Sequence, residues 1–91
     1  MTDDRLSRLA DHLQATGERP VERTAARWLG EAEAIAADLA HSDLDPAAQT
    51  TRLDQLEHVL SNVETTDDEI ADEHLASARD LLDSLQRDLE Q

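Results

Sequence analysis

Four histidines, His12, His41, His58 and His74, are the side chains of this 91-residue chain best suited to binding a metal or moving a proton. A carboxylate-bridged metal centre in a helical bundle uses Glu-x-x-His twice, with two further Glu facing inward. Three residues before the four histidines stand Leu9, Asp38, Gln55 and Ala71, so only "DLAH" at 38–41 approaches that pattern, and it falls at a helix end. His41 suits a different task there, as a cation near the negative end of the helix dipole. Helical spacing directs His12 and His58 to polar faces. His74 lies between Ile70, Ala78 and Leu81, at the edge of an apolar face. It is expected to be half-buried and hydrogen-bonded to a neighbour, the functional alternative being a ligand contact or a polar interface residue. No metal site and no cofactor is expected.

Other chemistries lack their parts. There is no cysteine and no glycine-framed serine, and two glycines are too few for a phosphate-cradling loop. Paired carboxylates abound, but among 22 acidic residues they single out no acid–base pair. The chain is therefore read as non-enzymatic. Arg19, Arg23 and Arg27 form an i, i+4 ladder suited to ion pairs within the chain or between subunits. No aromatic residue interleaves with them for base stacking, and molar salt weakens the counterion release that drives phosphate binding. Nucleic acid is disfavoured as a partner.

The charge balance favours that high-salt setting. Eight arginines and no lysine face the 22 acids, for a net charge of −14. Such self-repulsion is strong in dilute buffer, whereas at 1 M salt the screening length is about 3 Å. Lysine loss with arginine kept, Asp in excess of Glu, fourteen alanines and a single aromatic residue resemble the cytoplasmic proteins of extremely halophilic archaea. The competing reading is a functional acidic surface, for basic partners or nucleic-acid mimicry. Residues 1–27 are neutral, with five Arg and five acids, and residues 28–91 carry the entire excess. No signal peptide is expected from "MTDDRLSRLADH", and no apolar run approaches the roughly 18 residues of a membrane span.

The elements that position these residues follow from 3.6-residue apolar spacing, with no strand-like alternation. Helices are expected at about 2–16, 20–41, 46–63 and 66–90, in an all-α, up-down antiparallel four-helix bundle forming one domain over 1–91. Gly17 is placed to end the first helix and Pro20 to open the second. Asp45 and Pro46 start the third. Thr66 with Glu69 reads as a capping box for the fourth, and Asp83 with Arg87 as an i, i+4 ion pair. The core is thin, mostly Leu and Ala, which favours a homo-oligomer.

The second helix raises two further expectations. Its apolar stripe is Val21, Ala25, Trp28, Ala32, Ile35 and Leu39, which makes Trp28 the core anchor. On the opposite side Ala26, Gly30, Ala34 and Ala37 form a stripe of small residues that would let another helix approach closely. An interior glycine costs about 1 kcal/mol relative to alanine, so Gly30 is read as part of an interface, with Arg19, Arg23 and Arg27 beside it.

The segment "PVERTAARWLGEAEAIAADLAH", followed by "TTDDEIADEHLASARDLLDSL", resembles a small family of acidic, uncharacterised haloarchaeal helical proteins. That resemblance implies no activity and supplies no site residue. The residues themselves favour a cytoplasmic interaction module, a small dimerising adaptor or regulator with an unidentified protein partner. A nucleic-acid-associated regulator or DNA mimic is the alternative, and a metal- or ligand-binding bundle using His74 the second.

Overall fold

The computed structural model describes residues 4–90. Four helices follow one another: α1 over Asp4–Gly17, α2 over Arg23–His41, α3 over Pro46–Leu60 and α4 over Glu69–Leu89. Among the described residues there is no strand. α1 packs against α2 and α4, and α3 against the same two, while α1 and α3 stay apart, as do α2 and α4. This is the square cross-section of a four-helix bundle, 35 × 20 × 18 Å. At about 1.5 Å per residue, the 21-residue α4 runs most of the long axis.

Leucines at helical spacing build the centre. Leu9 and Leu13 of α1, Leu39 of α2, Leu53, Leu56 and Leu60 of α3, and Leu75 of α4 are all essentially without exposure. Each contributes about 2 kcal/mol on leaving water. Alanines 32, 36 and 78 are fully buried as well, which allows close helix approach where a larger side chain would hold the backbones apart. The α3–α4 seam is the loosest of the four contacts, and leaves a shallow groove over Leu60 and Leu82 with Glu57 and Asp83 along it.

The helix ends differ from expectation where tertiary contacts override local signals. α2 begins at Arg23, three residues beyond Pro20. Its N-cap is Glu22, whose carboxylate accepts from the amides of Thr24 and Ala25. The Glu22 amide donates to the Thr66 carbonyl at 2.8 Å, so the chain just ahead of α2 is tied to the α3–α4 connection instead of coiling. α3 stops at Leu60 rather than 63, yet Val63 stays buried. Arg79 reaches from α4 to donate to the carbonyls of Leu60 and Val63, at 2.9 and 2.5 Å. The Leu60 carbonyl, at the end of α3, also accepts from the Val63 amide at 3.0 Å, so Arg79 ties down the turn that follows the helix.

α4 begins at Glu69, not 66. Asp68, not Thr66, is its N-cap and accepts from the Ala71 amide at 2.9 Å. The expected Thr66–Glu69 box is replaced by Thr66 and Asp72: the Thr66 amide donates to Asp72 Oδ1 at 2.8 Å. Asp45 with Pro46 does open α3 as expected, and Arg87 pairs with Asp83 at 2.8 Å. Gly17 closes α1 without a left-handed backbone. The amides of Glu18 and Arg19 instead turn back to the carbonyls of Ala15 and Thr16, both at 3.2 Å. Residues 2 and 3 of the expected first helix lie outside the described residues.

Candidate functional site

Three arrangements bring polar or unpartnered residues together. The first joins α1 to α4. His74 is half-buried at the edge of the α4 apolar face, and its neighbour is His12. The two Nδ1 atoms stand 3.0 Å apart, the ring centres 5.2 Å apart, and the planes are inclined at 45°. An imidazole reaches from nitrogen to ring centre over roughly a tenth of a nanometre, so these distances make the nitrogens meet nearly head-on. One ring must donate a proton and the other accept it. His12 therefore does not lie on a free polar face. A helical wheel ranks the faces of α1 by apolarity, and nothing in that ranking reveals that α4 lies beside His12. His41 and His58 are exposed.

The second arrangement lies where the α1–α2 and α3–α4 connections meet. Thr66 is fully buried. Its hydroxyl lies 2.8 Å from Asp72 Oδ1 and 2.9 Å from the Asp68 carbonyl, two acceptors for one proton. That hydroxyl also accepts from the Asp68 amide at 3.2 Å. Thr65 donates to the other Asp72 oxygen at 3.1 Å. Between them Asp67 takes φ 60°, a left-handed backbone that Asp tolerates better than most residues. Arg19 donates to both oxygens of Asp68, from Nε at 3.0 Å and from Nη2 at 3.2 Å.

These contacts set the titration of the junction. The Arg19 side-chain hydrogen bonds, then the Ala71 amide, hold Asp68 below the usual carboxylate range. The Thr66 amide and hydroxyl do the same for Asp72, and the Thr24 and Ala25 amides for Glu22. Hydrogen bonding to Asp68, with its charge, raises Arg19 in turn. This network consists of saturated hydrogen bonds between helix ends, and its carboxylates are held as anions.

The third arrangement is the outer face of α2. Ala25, Leu29, Ala32, Ala36 and Leu39 are its buried residues. Trp28 and Ile35 pack against the core only in part, so Trp28 flanks the core rather than anchoring its centre. The buried stripe is rotated relative to expectation: α2 packs on both α1 and α3, and Leu29 and Ala36, outside the seven-residue repeat, are among its buried residues. Ala26, Gly30 and Ala34 are exposed, and Ala37 is half-buried. A Cβ placed on Gly30 meets nothing within 4 Å. Among the described residues nothing stands over Gly30, while Ala37 at the end of the stripe is partly covered.

The arginine ladder is divided. Arg19 precedes α2 and is taken up by Asp68, while Arg23 and Arg27 are exposed and make no ion pair among the described residues. Elsewhere Arg5 joins α1 to α4 through Ser84 at 2.8 Å and through Asp88. Arg52 reaches Asp38 at 3.4 Å. Among the described residues no group of three or more His, Asp or Glu is arranged to hold a metal ion. None of their helices is long and apolar enough to cross a membrane.

The helices and their core define an all-α four-helix bundle whose distinctive features are contacts between helix ends and an exposed run of small residues on the outer face of α2. The chain belongs to the family described as "Domain of unknown function (DUF8152)", which it matches over residues 5–91. Neither a curated protein nor a solved structure matches it.

Proposed function

We propose that this chain is a non-enzymatic protein–protein interaction module, a small adaptor or regulator that self-associates through the outer face of α2. The observation that carries the reading is the open space over Gly30. A helix interior that accepts a glycine loses about 1 kcal/mol relative to alanine, and nothing within the chain uses the room so created. Exposed Ala26 and Ala34 continue the stripe along α2, and Arg23 and Arg27 stand at one end of it with no ion pair among the described residues. Close backbone approach by a second helix gives all of these a use.

The reading extends to the setting. Net charge −14 with arginine as the sole cationic side chain apart from histidine supports a salt-rich cytoplasm, where acidic copies associate with little mutual repulsion. A nucleic-acid contact through the first quarter of the chain has less support, since Arg5 and Arg19 are engaged with Ser84, Asp88 and Asp68.

Light scattering after gel filtration, at about 0.2 M and about 3 M KCl, tests the proposal. A dimer or larger assembly at high salt is expected, and Gly30→Leu is expected to return it to monomer while leaving the helical content intact. A wild-type monomer at both salt concentrations overturns the proposal, as does an assembly that Gly30→Leu leaves unchanged. A monomer that retards duplex DNA would put the nucleic-acid reading in its place.

A further inference from the structure

We propose that His12 and His74 form a two-imidazole binding site for a tetrahedral divalent cation of the zinc class. The pair comes from two helices, 62 residues apart in sequence, and both side chains are partly shielded from water. The spacing rule that argues against a metal, Glu-x-x-His on one helix, does not reach a pair assembled in this way. The geometry does. Zinc–nitrogen distances of about 2.0–2.1 Å at the tetrahedral angle put two ligating nitrogens about 3.4 Å apart and their ring centres about 5.3 Å apart. The ring centres of His12 and His74 are already 5.2 Å apart. Ligation opens the nitrogen gap from 3.0 Å through changes in the χ1 and χ2 torsions of the two side chains, since each ring is tethered at Cγ.

The same geometry disfavours right-angled ligation of the two rings. Right-angled ligation, as in tetragonal copper or nickel sites, brings the ring centres to about 4.5 Å and would have to draw α1 toward α4. In the neutral pair the proton between the nitrogens leaves for the outer Nε2 of its ring through solvent. Both Nδ1 lone pairs are then free for the ion, and no net proton is released. The remaining two coordination positions fall to water or to a donor from another molecule, since no third ligand stands beside the pair among the described residues.

The test is titration of the metal-free full chain with zinc chloride in about 2 M KCl and a non-coordinating buffer, followed by calorimetry. One saturable ion per chain is expected, weakened at least tenfold by His12→Gln or His74→Gln and unchanged by the His41→Gln, His58→Gln double variant. Equal affinity in all variants, or no saturable binding, overturns the proposal. Long-range nitrogen–proton spectra of the wild-type chain test the same point without a substitution. Zinc is expected to shift the Nδ1 resonances of His12 and His74, and shifts confined to His41 and His58 overturn it as well.

Discussion

Arg19 and Asp68 meet as a two-pronged ion pair, at 3.0 and 3.2 Å, and the same carboxylate caps the first turn of α4 through the Ala71 amide. One side chain thus closes the α1–α2 connection onto the α3–α4 connection and starts a helix. Removing either partner tests how far the two tasks depend on each other. Arg19→Ala takes away the ion pair and leaves the cap, whereas Asp68→Ala takes away both. The melting temperature is expected to fall further for Asp68→Ala, and the double variant to match Asp68→Ala rather than the sum of the two. Additive losses in thermal melts would show that Arg19 stabilises the fold by a separate route.

Acid should loosen the same junction. Asp68 and Asp72 are held below their ordinary value of 3.8, and Glu22 below 4.5, by hydrogen bonds that exist only in the folded chain. For a carboxyl lowered on folding, stability is fully present above the unfolded value and is lost as pH falls through the folded one. Melting temperature measured in high salt is therefore expected to hold steady down to about pH 5 and to fall below about pH 4. Asp72→Asn starts from a lower melting temperature and shows a shallower acid fall. An identical acid limb in that variant would assign the loss to other carboxylates.

The bundle itself was legible because leucine spacing is a long, repeated signal: Leu6, Leu9 and Leu13, or Leu53, Leu56 and Leu60, define a face from several residues at once. Helix ends rest on one or two residues, and there tertiary bonds prevailed. The Thr66–Glu22 bond and the hold of Arg79 on Leu60 and Val63 join residues distant in sequence, so Pro20 misplaced the start of α2 and α3 ends short of 63. The nearer cap Asp68 displaced Thr66 at the start of α4. His74 could be recognised from its position at a face edge, but not its partner. Which helix lies beside α1 is a property of the packed bundle, and no local pattern around His12 records it.

The rotated stripe of α2 makes a prediction about two adjacent residues. Leu29 is 3% exposed, while Trp28 packs on the core only at its margin. Leu29→Ala should cost about 2–5 kcal/mol, the usual range for a leucine truncated in a packed interior. Trp28→Leu trims a side chain that is only partly buried and keeps an apolar contact at the rim, so it should cost less than Leu29→Ala. Urea unfolding of the two variants provides the comparison. A larger loss for Trp28→Leu would return the tryptophan to the centre of the core.

Gly30 offers the sharpest separation of stability from association. Its backbone is helical with no positive φ, and a Cβ there meets no neighbour. Within a single chain, then, Gly30→Ala relieves an entropic penalty and inserts nothing into a packed space. It should stabilise the fold by about 0.5–1 kcal/mol, and a domain of this size gains about 4–8 °C in melting temperature for each kcal/mol. Gly30→Leu has the same freedom within the chain, so its monomer should also melt no lower than wild type. The two variants part only where a second helix lies against α2: a methyl group fits a close crossing far better than an isobutyl group does. Thermal melts at several protein concentrations, beside light scattering at high salt, resolve the two effects. In dilute solution neither variant is expected to melt below wild type, and at assembling concentrations only the leucine variant is expected to lose assembly and the stability that comes with it. Lower melting temperature in dilute Gly30→Ala would mean that α2 is already covered within the chain, and the outer face would cease to be a surface for association.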